Sequence, residues 1–321
     1  MLAGQIFGVG DLRLVDTPEP KLDGAAGSII FQPELGCLCG SDLPYFRDRQ
    51  PSYPLQPGLS LHEMIGRVVA SNGRRFQPGD RVLAVPEGQV GLFERFVVSE
   101  KRAVPLDARR PREEMLLAQP LGTAIFAAKK VPTFLDQDVA IVGQGPMGLI
   151  WCSVCRNLGA REIVALDRVP ERLKLSLAMG ATRAVNVDHE DSEAAVAAAA
   201  GGRLADIVIE AVGHANQSIN LCTRLCRPNG RILFFGVPEE FIDRVSWREL
   251  FFKNITVHTS VGPDFERDFP LAMRWIGEGR VNVRPLVTHH YPLAKIADAY
   301  RLFSERRDGA VKVEIDFPEG R

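Results

Sequence analysis

The apolar residues of this chain change their spacing from one region to the next. From Asp138 to Asp167 the sequence runs DVAIVGQGPMGLIWCSVCRNLGAREIVALD. The short apolar run Val139–Val142 predicts a buried parallel strand. A helical stretch follows to Asn157–Gly159, and a second apolar run, Glu162–Leu166, ends on Asp167. Beyond it the pattern predicts helix Pro170–Met179, strand Ala184–Val187, helix Ser192–Ala200 and strand Asp206–Glu210. Helix Asn216–Cys226 and strand Gly230–Gly236 come next, with a further strand at Ile255–Ser260. Strands alternating with helices of this length argue for an α/β fold with a doubly wound parallel sheet.

The flanks read differently. Residues 1–35 are short strands joined by the turns Asp16–Pro20 and Asp23–Gly27. The segment GCLCGSDLPYFRD, residues 36–48, opens a short helix that Ser41 or Asp42 can cap. After a proline-rich loop, Pro51–Pro57, His62 and Glu63 stand at the start of an apolar strand. Residues 77–85 give a turn and a strand, Val90–Val98 a further strand, and Pro111–Leu117 begins helical character. Residues 117–132 form a helix linking this front part to the central unit. Near the other end, Phe265–Gly277 and Leu293–Ser304 are amphipathic helices and Ala310–Phe317 is a closing strand.

Composition narrows the function classes. At 321 residues the chain holds two domains more readily than one. Its formal net charge of −1, with 25% charged residues, favours neither a nucleic-acid nor an acidic-membrane partner. The first sixteen residues lack the basic and apolar regions of a signal peptide, and no uninterrupted apolar window is long enough to span a membrane. A cytoplasmic location is the expectation. The six cysteines fall as Cys37/Cys39, Cys152/Cys155 and Cys222/Cys226. The last two pairs could be redox or zinc-ribbon pairs, but their helical spacing in apolar helices suits buried structural cysteines better.

The central unit carries the first chemistry. Gly143, Gly145 and Gly148 fit G-x-G-x-x-G between a strand and a helix, and a second strand ends on an acid. Gly143 permits the tight turn, Gly145 lets backbone approach a pyrophosphate, and Gly148 lets the helix pack close to the strand. The helix N-terminus, entered through Pro146 and Met147, offers N–H groups and a positive dipole end to phosphates. Asp167 can accept hydrogen bonds from both ribose hydroxyls and repels a 2′-phosphate, which predicts NAD. The adjacent Arg168 works against that preference, because a basic neighbour can pair with such a phosphate.

Cys39-Gly40-Ser41-Asp42, His62-Glu63, Gln119-Pro120-Leu121-Gly122-Thr123 and the glycine turn together resemble the medium-chain, zinc-type alcohol and polyol dehydrogenases. GDRV (79–82), LDRVPERLKLSLAMGA (166–181), DIVIEAVG (206–213), LFFGV (233–237) and DGAVKVEI (308–315) follow in the same order. The resemblance covers nearly the whole chain. It implies a GroES-like, β-rich catalytic domain built from residues 1–120 and 261–321, around an inserted Rossmann domain of residues 121–260. Cys39, His62 and Glu63 supply the thiolate, imidazole and carboxylate that a catalytic zinc favours, with a fourth position open. This set is similar to that of polyol and sugar dehydrogenases. The resemblance further implies that Asp42 orients His62 and that Ser41 handles the substrate hydroxyl. Thr123 and Met147 are expected against the nicotinamide, Arg172 near the adenosine and Lys312 near the pyrophosphate; Met147 as core filler and Lys312 as a solvated strand residue are equal alternatives.

The departures are specific. The family's Gly-His-Glu is Leu61-His62-Glu63 here, its relay histidine is Pro44, and its glutamate before Pro-Leu is Gln119. Residues 83–99 contain no cysteine, so no structural zinc is expected beside the single catalytic one. The reading that follows is NAD-linked oxidation of a secondary alcohol, polyol or sugar hydroxyl by a homodimer or homotetramer. The alternatives are a zinc-free NADPH quinone or enone reductase of the same superfamily, and a noncatalytic NAD(H)-binding or sensing protein.

Overall fold

The computed structural model describes residues 1–22, 26–214 and 217–318. Two compact units emerge. The first comprises Met1–Gly122, Asp264–Glu278 and the chain from Leu286 onward; the second comprises Thr123–Pro263 and Gly279–Pro285.

The first unit opens with β1 (Leu2–Gly8), β2 (Asp11–Asp16), β3 (Ser28–Cys37), α1 (Leu43–Arg47), β4 (Glu63–Ser71), β5 (Arg81–Ala84), β6 (Phe96–Ser99), β7 (Ala103–Pro105) and α2 (Arg112–Leu116). The chain leaves it along α3 (Ala118–Ala128). The second unit holds β8 (Asp138–Val142), α4 (Pro146–Asn157), β9 (Glu162–Asp167), α5 (Pro170–Ala178), β10 (Arg183–Asn186), α6 (Ser192–Ala199), β11 (Ala205–Glu210), α7 (Ser218–Leu225), β12 (Cys226–Phe234), α8 (Trp247–Phe252) and β13 (Thr256–Thr259). Back in the first unit come α9 (Phe265–Gly277), β14 (Val287–Pro292), α10 (Ile296–Glu305) and β15 (Lys312–Asp316).

The second unit is a six-stranded, all-parallel sheet in the order β10-β9-β8-β11-β12-β13. Counted from β8, this is the 3-2-1-4-5-6 order of a dinucleotide-binding fold, whose switch point lies between β8 and β11. Both central strands are buried at every residue, as expected when helices cover both faces. All four of Cys152, Cys155, Cys222 and Cys226 are buried and free, and burial pushes their thiols up, Cys226 to about 12. They are core residues.

The first unit is β-rich. A seven-stranded sheet runs β14-β15-β3-β4-β5-β7, with β6 also paired to β3, and β1 and β2 form a separate hairpin. Strand β15 lies antiparallel to β3, and β3 antiparallel to β4, so residues near both chain ends share one core. The row Glu314, Cys37, Glu63 crosses these three strands in register, with His290 of β14 beside Glu314.

Some sequence expectations are corrected. Only Phe96–Ser99 of the expected strand Val90–Val98 is regular. Its earlier residues bond to scattered partners instead of one ladder: Leu92 N–H donates to Gly58 O, and Leu92 O accepts from Gly4 N–H. Strand β12 begins at Cys226, four residues before Gly230, because α7 stops at Leu225. The expected helix start at Asn216 and most of the turn Asp23–Gly27 lie outside the described residues.

Candidate functional site

The glycine turn illustrates three separate demands on glycine. Gly143 has φ +92°, and a side chain there would meet Val212 Cγ2 at 2.8 Å. At Gly148 a Cβ would sit 1.9 Å from Gly143 O, so the helix approaches the strand closely only without one. A Cβ at Gly145 would project into open space, on the face where a pyrophosphate would lie. Helix α4 then starts with Pro146 in its first turn, a position that costs no hydrogen bond. Asp167 closes the turn. Its Oδ2 accepts from Gln144 N–H at 2.5 Å, and its Oδ1 accepts from the N–H groups of Arg168 and Val169. Arg168 is exposed and its Nε lies 3.3 Å from Asp188. Thr123 lies in α3, Met147 in the first turn of α4 and Arg172 in the first turn of α5, all partly buried.

Glu210, at the end of β11, was not singled out from the sequence. It is fully buried and accepts from Val212, Gly213 and Gly236 N–H groups, tying together the loops that follow β11 and β12. Those loops leave the carboxyl ends of the strands, where dinucleotide-binding sheets hold ligands.

In the first unit, Cys39, His62 and Glu63 each offer a ligand atom, and these atoms all lie within 4.8 Å of one another. No other group of this kind occurs among the described residues. Cys39 leads into the one-turn helix Gly40–Asp42 that carries Ser41, and Asp42 rather than Ser41 secures it: Asp42 Oδ2 accepts from Cys39 N–H at 2.7 Å. Asp42 Oδ1 accepts from Leu61 N–H and from Ser60 Oγ, both at 2.9 Å, and faces His62 Nδ1 at 3.5 Å. Burial raises the Asp42 pKa, but the bonds to His62, Cys39 and Leu61 outweigh it and hold the carboxyl below its usual range. Burial likewise opposes charge on His62, and contact with Asp42 and Cys39 outweighs that and lifts its pKa well above the ordinary value.

The turn before His62 keeps a left-handed backbone without glycine: Ser60 has φ +93° and Leu61 φ +66°. Such residues cost about 1–3 kcal/mol each and persist where their surroundings over-determine them. Here Ser60 N–H donates to Gln89 O at 2.6 Å and Ser60 O accepts from Gly91. Leu61 is buried, and its side chain fills the space that a Cβ on Gly36 would take, 2.9 Å from Leu61 Cδ2.

Lys312 requires a correction. It neither faces solvent nor stands ready for a pyrophosphate: it is fully buried, and its Nζ donates to both Glu63 carboxylate oxygens at 2.6 Å and to Leu38 O at 3.3 Å. Burial opposes its charge, but Glu63 overcomes this and raises the Lys312 pKa above its ordinary value. The cause is strand order, since β15 is one strand removed from β4, which begins with Glu63. Gln119 is buried in the first turn of α3. Sequence reasoning missed Ser60 and Tyr300, whose hydroxyls meet at 2.6 Å behind Asp42 across 240 residues of chain.

A family model described as zinc-binding dehydrogenase matches residues 146–278. The L-idonate 5-dehydrogenase (NAD(P)(+)) of Escherichia coli is 28% identical, over 96% of this chain and 97% of that protein. Its crystal structure aligns with a TM-score of 0.84 at 25% identity, covering 98% of each chain. The chain is similar along its length to zinc-type alcohol and polyol dehydrogenases. The sorbitol dehydrogenase of Ovis aries is 25% identical over 97% of this chain and 95% of its own. No helix among the described residues is long and apolar enough to cross a membrane.

Proposed function

We propose that this protein is a zinc-type medium-chain dehydrogenase that oxidises a secondary alcohol, polyol or sugar hydroxyl, with NAD as the preferred hydride acceptor and one zinc per chain. The observation that carries the reading is the convergence of Cys39, His62 and Glu63 beside a buried Asp42, in a chain that also carries the dinucleotide turn. A thiolate, an imidazole and a carboxylate fit zinc, and three protein ligands leave a position open for substrate. When bound there, zinc would act as a Lewis acid on the substrate hydroxyl. The chain's own residues do the rest. Asp42 turns His62 so that Nδ1 faces the carboxylate and Nε2 is left for the metal. Lys312 holds both oxygens of Glu63, and Ser41 lies in the same short turn as Asp42, where it would hold the substrate hydroxyl.

In the second unit, the glycine turn and the α4 N-terminus would hold the pyrophosphate, with Asp167 on the adenosine ribose. Asp167 spends part of its acceptor capacity on three backbone N–H groups, which fixes the carboxylate where a 2′-phosphate would meet its charge. Asp188 draws Arg168 away from pairing with such a phosphate. Thr123, Met147 and Arg172 remain the proposed nicotinamide and adenosine contacts.

A homodimer is proposed through β13, the edge strand of the parallel sheet. It is flanked by exposed Trp247, Phe251, Phe252 and Val261, and an apolar edge left bare invites pairing. Light scattering that gives a concentration-independent monomer mass would refute it. Metal analysis of untagged protein, followed by an NAD-reduction screen over polyols and aldoses, tests the whole reading. One zinc per chain and turnover with such an alcohol are expected. Absence of bound metal would favour the zinc-free reductase class, and metal without turnover on any alcohol would favour an NAD(H) sensor. Replacing Asp167 with Ser should erode the NAD preference by a few kcal/mol at most, on the order of one like-charge contact.

A further inference from the structure

We propose that Tyr300 and Ser60 form a hydroxyl chain that positions Asp42, and through it His62, for metal binding. The inference rests on the zinc reading above. Tyr300 is fully buried on α10, in an apolar cluster where its ring lies 5.3 Å from that of Phe46. A hydroxyl in such a place is costly unless it is bonded. Its hydroxyl meets Ser60 Oγ at 2.6 Å, and Ser60 Oγ lies 2.9 Å from Asp42 Oδ1.

The direction of the chain follows from what each group can do. A carboxylate only accepts, so Ser60 donates to Asp42. A hydroxyl has one proton, so Tyr300 must donate to Ser60. Asp42 then holds acceptor positions filled by Ser60 and two backbone N–H groups, and the side facing His62 Nδ1 also calls for a donor. That demand selects the tautomer with hydrogen on Nδ1 and a lone pair on Nε2. The same serine carries the first of the two left-handed residues before His62, so one side chain anchors both the turn and the carboxylate. Tyr300 and Ser60 are positioning residues; neither is among the three ligands.

Two variants separate the hydroxyls from the backbone. Ser60→Gly accepts φ +93° more easily than serine and deletes the hydroxyl. Tyr300→Phe deletes only an oxygen and keeps the core filled. Full-length protein is titrated with Zn²⁺ against a chromophoric chelator, and Co²⁺-loaded protein is examined by visible absorption. Ser60→Gly should weaken zinc binding about 10-fold, the low end for partners that orient a metal ligand. Tyr300→Phe should weaken it about 3-fold, as for loss of one neutral hydrogen bond. The double variant should bind no more weakly than Ser60→Gly, because Tyr300 acts through Ser60, and the cobalt bands should shift in both single variants. Wild-type zinc affinity and unshifted cobalt bands in Tyr300→Phe and Ser60→Gly would overturn the inference and leave the zinc reading standing. A wild-type protein that takes up neither Zn²⁺ nor Co²⁺ would overturn both.

Discussion

Glu63 and Glu314 lie in one row of one sheet, separated by β3, and neither reaches solvent. Glu63 has Lys312 on both oxygens at 2.6 Å. Neither oxygen of Glu314 has a hydrogen-bond partner among the described residues, although His290 Nδ1 lies 3.2 Å from Oε2. Burial, reinforced by the charges of Glu113 and Asp316 and only partly offset by Arg112 and Lys312, pushes the Glu314 carboxyl up to about 9. Near neutral pH it is therefore an uncharged acid. Burial by itself thus decides nothing about a carboxylate in this sheet. The lysine gives one of them a charged partner on both oxygens, and without such a partner the other is held as an acid.

Breaking the pair that distinguishes them should have the largest effect. Lys312→Met leaves Glu63 buried and uncompensated, which costs about 3–5 kcal/mol. Urea unfolding of metal-free protein should show that loss, and zinc, supplying positive charge to the same carboxylate, should restore part of it. Equal stability of wild type and variant without metal would mean that the Lys312–Glu63 pair does not hold this part of the sheet together.

Removing the other carboxyl should have a smaller, pH-dependent effect. The folded pKa of Glu314 lies above that of the unfolded chain, so between about 4.5 and 9 the folded state binds more protons. Stability from this group is therefore complete at pH 4 and lost as pH rises toward 9. Glu314→Gln should match wild type at pH 5 and exceed it by up to a few kcal/mol at pH 9. Thermal melts across that range check it, and parallel curves for the two proteins would refute it.

Adding a third carboxylate sharpens the contrast further. Gln119→Glu puts a carboxyl in the buried first turn of α3. If it acts on the metal site as proposed, it opposes loss of the substrate's proton. The ascending limb of kcat/KM for oxidation should then move up by at most ~1–2 pH units. An unmoved profile with zinc still at one per chain would assign Gln119 to packing. The smallest expected change concerns the strained turn. Leu61→Gly relieves φ +66° but empties a buried site, for a net loss of about 2 kcal/mol by thermal melt.

How much of this could be read beforehand depends on how local the cause is. Helix α9 occupies the span that its apolar period predicts, and the glycine turn with Asp167 is a single unit of about thirty residues whose parts specify one another. Cys39, His62 and Glu63 were legible because residue type alone suggests metal chemistry. Lys312 was not, because nothing near residue 312 records that β15 ends up one strand from β4. Ser60 and Tyr300 escaped for the same reason, and Leu61 disguised a left-handed turn that a glycine would have announced. The failed strand over Val90–Val98 shows the opposite error, an apolar run whose backbone bonds go to several partners.

The buried lysine also sets an order of events during synthesis. All six strands of the parallel sheet lie between residues 138 and 259, so that unit has its strands in hand before β15 leaves the ribosome. Glu63 is made early and must wait for almost 250 residues before Lys312 can neutralise it. A nascent chain therefore carries Glu63 without its lysine until its last described strand is threaded beside β3. Ribosome stalling or a frameshift between β13 and β15 would release a chain with all six strands of the parallel sheet and with Glu63 lacking its lysine.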